Sequence, residues 1–175
     1  MSPLPPWVDH DVHFSDPQHR VWLRRKIGGT KRGPAIFILH NPSKAAGTGF
    51  EDPTSRRGIS FATAWECSDL IFTNLATAIA TDADDLALVD DPIGPEADVA
   101  LRAAASIADE QDGRLIAAWG APKGKASTKR LIQVRIDHVL GRLNLPLWAI
   151  RVTPSGYPEH PLYLPGGLTP QPYPP

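Results

Sequence analysis

Four short apolar runs do most to limit what this chain can become. They cover residues 35–39 (AIFIL), 70–74 (LIFTN), 115–119 (LIAAW) and 147–152 (LWAIRV). Each is nearly continuous in hydrophobicity, the pattern of a strand buried on both faces. The segments between them have helical period. Ile59, Ala62 and Trp65 fall on one side of 54–65, and Leu101, Ala104, Ala105 and Ala108 on one side of 96–108, where Pro95 suits the first turn. Over 127–143, Leu131, Ile132, Ile136, Val139, Leu140 and Leu143 form a stripe, with Ser127 as the expected N-cap. Strand–helix–strand repeated in this way predicts an α/β three-layer sandwich with a mainly parallel, four-stranded central sheet. Ahead of the first run, HRVWLRRKIGGTKRG reads as a strand and a glycine turn, placed as an N-terminal edge strand or hairpin. The length, 175 residues, suits a single domain, 1–175. Its core is expected over about 14–165, and a proline-rich tail, 166–175, is expected to be extended or frayed.

Composition removes several function classes. The net charge of −1 argues against a strongly basic, non-specific DNA binder. Charge is segregated, however: 82–98 carries seven acids and no base, whereas 123–135 carries five bases and no acid. A basic face can therefore exist on a neutral chain. The single cysteine, Cys67, excludes a disulfide framework and any multi-cysteine metal site, and points to a reducing cytoplasm. No apolar run reaches the ~18–20 residues of a membrane helix. MSPLPPWVDHD lacks the basic start and apolar stretch of a signal peptide. Neither a cofactor nor a metal is expected. His10, Asp11 and His13 are ligand-type residues, but they lie in a proline-rich segment.

In open α/β sheets, ligands bind beyond the carboxyl ends of the strands. The four ends here read HNPS, TNLAT, WGAPKGK and RVTPSGYPEH, and all four carry groups able to meet a base or a phosphate. Asn41, Pro42 and Ser43 read as a binding loop or as an ordinary turn. Asn74 reads as a base-reading amide or a cap. Trp119 and Gly120 read as site residues or as core packing and a tight turn. The glycines and lysines of 120–125 lack Walker spacing, and Ser155 lacks the nucleophile elbow, so a P-loop and a serine hydrolase are both disfavoured. His160, between two prolines one and two residues away, reads as a packed histidine or a substrate ligand.

NPSKAAGTGF followed by DPTSRR resembles the first motif of the mismatch-specific uracil-DNA glycosylases. Asn41, Pro42, Ser43, Ala46, Gly47, Thr48, Gly49, Phe50 and Arg56 or Arg57 carry that likeness. VTPSGYPEH, with Thr153, Ser155 and Gly156, is similar to the family's last loop, and Asn74 to the base-reading asparagine of the classical enzymes. The NPS, DPT, AWG and HPLYL segments together also resemble a bacterial family described as a domain of unknown function, over roughly residues 14–165.

The resemblance implies a uracil-DNA-glycosylase-like fold and hydrolysis of an N-glycosidic bond, or a related modification, at a nucleobase in DNA. Alternatives are an enzyme on a free nucleotide or nucleoside, and a binding module that has lost the chemistry. It assigns catalysis to Asn41 and Ser155. Pro42, Ser43, Gly47, Thr48, Phe50, Arg57, Asn74, Trp119, Gly120, Thr153, Gly156 and His160 would contact the substrate. Lys123, Lys125, Lys129 and Arg130 would attract the nucleic-acid backbone. The chain departs from the classical pattern at Asn41, where those enzymes have a water-activating aspartate, and at Thr153, where they have a histidine.

Overall fold

The structure, a computed structural model, describes residues 3–44 and 51–174. Its strands are β1 (Val12–Asp16), β2 (His19–Lys26), β3 (Ala35–Leu39), β4 (Asp69–Asn74), β5 (Arg114–Ala117), β6 (Leu147–Ala149) and β7 (Gln171–Tyr173). Its helices are α1 (Pro53–Ala64), α2 (Ala97–Glu110) and α3 (Ala126–His138), the last running into a π-helical turn over Val139–Leu143. All four predicted strands and all three predicted helices form.

The strands build one mixed sheet in the order β1-β2-β4-β3-β5-β6-β7. The predicted four-stranded, mainly parallel sheet is its centre, β4-β3-β5-β6, and all three pairings there are parallel. The sheet extends beyond that centre on both sides. β1 and β2 form an antiparallel hairpin, so β2 is an inner strand and β1 the edge. At the other border, β7 pairs antiparallel with β6. The expectation of four strands falls short because it treated the proline-rich tail as a passenger. Tyr173 is only 7% exposed, its ring lies edge-on to Trp119, and its hydroxyl donates to the Gly156 carbonyl at 3.0 Å. Burial of one large ring outweighs the reluctance of a Gln-Pro-Tyr segment to form a strand. The border strands are short and irregular: β1 shifts register twice along β2, and β7 contains Pro172.

The two sheet faces divide the apolar residues by alternation. Ile36, Ile38, Ile71 and Leu115 point to the face covered by Leu101 and Ala104 of α2 and by Ile132 and Ile136 of α3. Phe37, Leu39, Leu70, Phe72 and Ile116 point to the face covered by Phe61 and Ala62 of α1. This gives three layers. α1 begins where Asp52, its N-cap, accepts the Ser55 N–H at 2.7 Å, with Pro53 at the first helical position. α3 does not use Ser127 as its N-cap. Lys125 holds that position, and the cap is supplied from a distance by the Asp84 carboxylate, which accepts from the Lys125 N–H at 2.6 Å and the Thr128 hydroxyl at 3.0 Å. Part of the acidic run thus docks on the basic one. Among the described residues, no helix is long and apolar enough to cross a membrane.

Tyr173→Ala is expected to cost about 3–5 kcal/mol of unfolding free energy, the range for deleting a buried aromatic ring. Urea denaturation checks this; a loss below about 1 kcal/mol would show the tail to be dispensable.

Candidate functional site

β3 and β4 run side by side with Leu39 opposite Asn74, so their carboxyl ends lie level. The pairing continues past both ends: the Leu75 N–H donates to Leu39 O at 2.8 Å and the Ala76 N–H to His40 O at 3.1 Å. Farther on, the Ala80 N–H reaches Pro42 O at 3.0 Å, and the Asn41 side-chain amide donates to Ala80 O at 2.8 Å. The segment after β4 is thereby clasped to the HNPS turn.

A cavity of about 70 Å³ opens beside this clasp, on the α1 face of the sheet. Its apolar wall is Leu23, Leu39 and Phe72, and its polar wall includes Asn41, Ser43, Asn74, Arg20, Asp52 and His160. Asn41 and Asn74 therefore meet in one cleft. Asn74 is 3% exposed, and among the described residues its side-chain oxygen has no hydrogen-bond partner. The Asn41 carboxamide is held at both ends: its nitrogen donates to Ala80 O and Pro42 O, and its oxygen accepts from His40 Nδ1 at 2.9 Å. One lone pair of that oxygen remains for another donor.

Two further polar groups of the cleft follow from the fold. Arg20, on β2, is 5% exposed; burial lowers its pKa to about 10, and the neighbouring Asp52 charge opposes that fall. One guanidinium nitrogen donates to Ser43 O at 3.2 Å. Burial raises the Asp52 pKa, but bonds from the Ser55 N–H and the Ser43 hydroxyl (2.9 Å) outweigh this and hold the carboxyl below its ordinary range. The sequence reading missed both: the signal for Asp52 is an acid directly before a proline at a helix start, whereas Arg20 sits in a strand with nothing local to mark it as buried.

His160 reaches the cleft from the chain beyond β6. Gly120, at φ +71°, donates its N–H to Pro158 O at 2.9 Å, and a Cβ there would lie 3.9 Å from the His160 Cβ. His160 Nδ1 accepts from the Leu162 N–H at 3.3 Å, which leaves the proton of the neutral ring on Nε2. Burial, then the charge of Lys123, push its pKa down to about 4. Burial also pushes His40 down, against the bond to Asn41 and with help from Lys123. His40 is 9% exposed, and its Nε2 is unpaired among the described residues. Unpaired buried polar atoms are rare in folded chains. Here four of them, on His40, Thr73, Asn74 and Trp119, fall at or next to the carboxyl ends of three adjacent strands.

Other residues singled out in the sequence lie elsewhere. Ser155 is exposed at the tip of a turn, outside the cavity lining, in which the Gly156 N–H bonds Thr153 O at 2.9 Å and Thr153 Oγ1 accepts the Tyr157 N–H. Arg57 donates to Leu164 O and lies 4.8 Å over Phe61, clamping the chain after His160 onto α1. Trp119 is core, 1% exposed. Lys123, Lys125, Lys129 and Arg130 are exposed on the loop and first turns of α3, with Lys123 Nζ 5.6 Å from the Tyr163 ring. Gly47, Thr48 and Phe50 lie outside the described residues. His13 stacks on Trp7 and bonds Glu96 at 3.0 Å, and among the described residues no group of three or more metal-ligand side chains converges.

The neutral histidines have a pH consequence. The unfolded chain binds a proton to each imidazole near pH ~6.5 and the folded chain binds it to His160 only near 4, so this contribution to stability is complete above 6.5 and shrinks as pH falls toward 4. His19 works in the opposite sense: burial lowers its pKa, but bonds to Asp16 (2.8 Å) and Asp91 O (2.7 Å) more than restore it. The readout is therefore a difference. Between pH 7 and 5, a His160→Gln variant should lose less stability than the parent; equal losses would mean that His160 protonates normally.

Against known proteins, a family model described as "Protein of unknown function (DUF1643)" matches residues 20–162, a stretch that begins at Arg20 and takes in Asn41, Asn74 and His160. No curated protein and no solved structure matches the chain. With most of its length covered by that one model, the chain belongs to the DUF1643 family.

Proposed function

We propose that this chain is a uracil-DNA-glycosylase-like hydrolase that cleaves the N-glycosidic bond of a nucleobase in DNA. The observation that supports this reading most is the unpaired carboxamide oxygen of Asn74, buried in a cleft that it shares with Asn41 and His160. Such an amide next to a protonated ring nitrogen suits the donor and acceptor edge of a base.

Cleavage leaves negative charge on the departing base and positive charge on the sugar. A neutral His160 with its proton on Nε2 supplies a hydrogen bond to a base oxygen as that charge develops. It is better placed than Ser155 to act on the base, because it lines the cleft and Ser155 does not. The Asp52 carboxylate, kept ionised, favours the cationic sugar. Asn41 positions water through the free lone pair of its oxygen. Neither group is a strong base: Asn41 does not titrate, and Asp52 holds its negative charge firmly. Bond breaking must therefore run well ahead of water attack, so turnover is slow. The exposed Lys123, Lys125, Lys129 and Arg130 supply attraction to the phosphate backbone.

One observation favours a second reading, an enzyme on a free nucleotide or nucleoside. The cleft holds about 70 Å³, against the ~300–1,000 Å³ of ordinary ligand pockets, which sets a tight limit on what enters.

Release of free base from oligonucleotides containing uracil or a modified base tests the proposal. Asn74→Ala and His160→Ala should each slow release roughly 100-fold, the cost of one lost transition-state donor, with melting temperature little changed. Ser155→Ala should leave the rate intact. Full activity in Asn74→Ala would sink the assignment. Activity on DNA should also fall steeply between 50 and 200 mM salt in proportion to the phosphates contacted, whereas a nucleoside-specific enzyme should barely respond.

A further inference from the structure

The opposite end of the sheet carries a second, larger cleft. It lies at the amino ends of β3 and β5, between the end of α1 and the segment leading into β7, and holds about 400 Å³. That volume is within the range of small-molecule sites. Its walls are two half-buried indoles, Trp65 and Trp148, with Pro170 closing one side. Trp65 is fixed: its indole N–H donates to Leu168 O at 2.8 Å, and its ring stacks on Phe61 and Phe37.

Two arginines complete the cleft. The Arg114 guanidinium lies 4.5 Å over the Trp148 ring, an arrangement that pre-orders a flat cation. Among the described residues its one carboxylate partner, Asp112, is 3.7 Å away with a side chain 77% exposed, so solvent screens the pair. Arg32 lies exposed at the mouth and makes no ion pair among the described residues. Both guanidiniums act on the buried Cys67 thiol in the same direction, against the effect of its burial, so both charges are felt in the same place. Among the described residues no carboxylate lines the cleft. Two cations, one of them paired only with a solvent-screened carboxylate, set beside aromatic walls, are complementary to a flat ring that carries its own negative charge.

We infer that this cleft is a second ligand site, for an aromatic or heteroaromatic ring bearing a phosphate or carboxylate. The ring packs along Trp65 and Trp148, and the anionic group pairs with Arg114 and Arg32. The inference is independent of the chemistry at the carboxyl ends of the strands, since the two clefts share no lining residue.

Calorimetric titration of the full chain with adenosine 5′-monophosphate and with indole-3-acetate tests it, using adenosine and inorganic phosphate as controls. At least one of the two ring-bearing anions should bind, with the ring alone and the phosphate alone at least tenfold weaker. Arg32→Ala and Arg114→Ala should each weaken binding about tenfold, Arg114→Lys nearly as much, and Asn74→Ala not at all. The phosphate and carboxylate probes distinguish the two anion types. Failure of both anions to bind at millimolar concentration, or binding that ignores the arginine substitutions, overturns the inference. Loss of binding in Asn74→Ala would assign the ligand to the first cleft and overturn it equally. Arg32 is exposed, so its variant should fold normally and keeps the test decisive should Arg114→Ala prove unstable.

Discussion

The parallel pairing of Leu39 with Asn74 governs the site. Side chains alternate across a strand, so a slip of one residue would turn Asn74 to the α2–α3 face, where Thr73 now points, and leave the cleft without its amide. Register is held by more than the ladder. Phe37 and Phe72 pack 5.7 Å apart on the α1 face, and Ile36 and Ile71 lie opposite each other on the other. Hydrogen bonds then carry the pairing beyond the strands to Ala80, so that the HNPS turn is part of the frame rather than a loop hung on its end.

Much of the fold was legible because the central strands are buried on both sides and therefore read as unbroken apolar runs. The hairpin and the last strand were harder. β2 mixes His19, Arg20, Arg24 and Arg25 with apolar residues, and its burial depends on partners far away in sequence: Arg20 beside Asp52, Arg24 bonded to Asp69 at 2.9 Å. β7 exists because Trp119 and Leu147 need covering, a tertiary cause that a proline-rich tail does not reveal. In the candidate site, Asn41, Pro42, Ser43, Asn74 and His160 could be singled out from their position after strands, and the structure gathers them. Ser155 looked equivalent by the same criterion. The Val152–Pro158 bridge makes its segment a closed turn, and the chain enters the cleft only afterwards, at His160.

The electrostatics of the carboxyl end follow from crowding. His40, His160 and Lys123 lie close enough for each imidazole to feel the lysine, and His40 is buried and His160 half-buried. The inexpensive solution is for the histidines to stay neutral and leave the single charge on the exposed residue. Neutrality gives each ring one donor and one acceptor nitrogen, and existing bonds to Asn41 and Leu162 decide which is which. The directionality of the site is thus set by its protonation.

The borders of the sheet bear on how copies of this chain can meet. A row of unpaired backbone groups invites a neighbour to add a strand. Here one rim is broken by two shifts of register, and the other spans three residues around a proline nitrogen that has no hydrogen to offer. Neither rim offers a long, regular template, so growth by lateral stitching of one molecule to the next is discouraged at both ends.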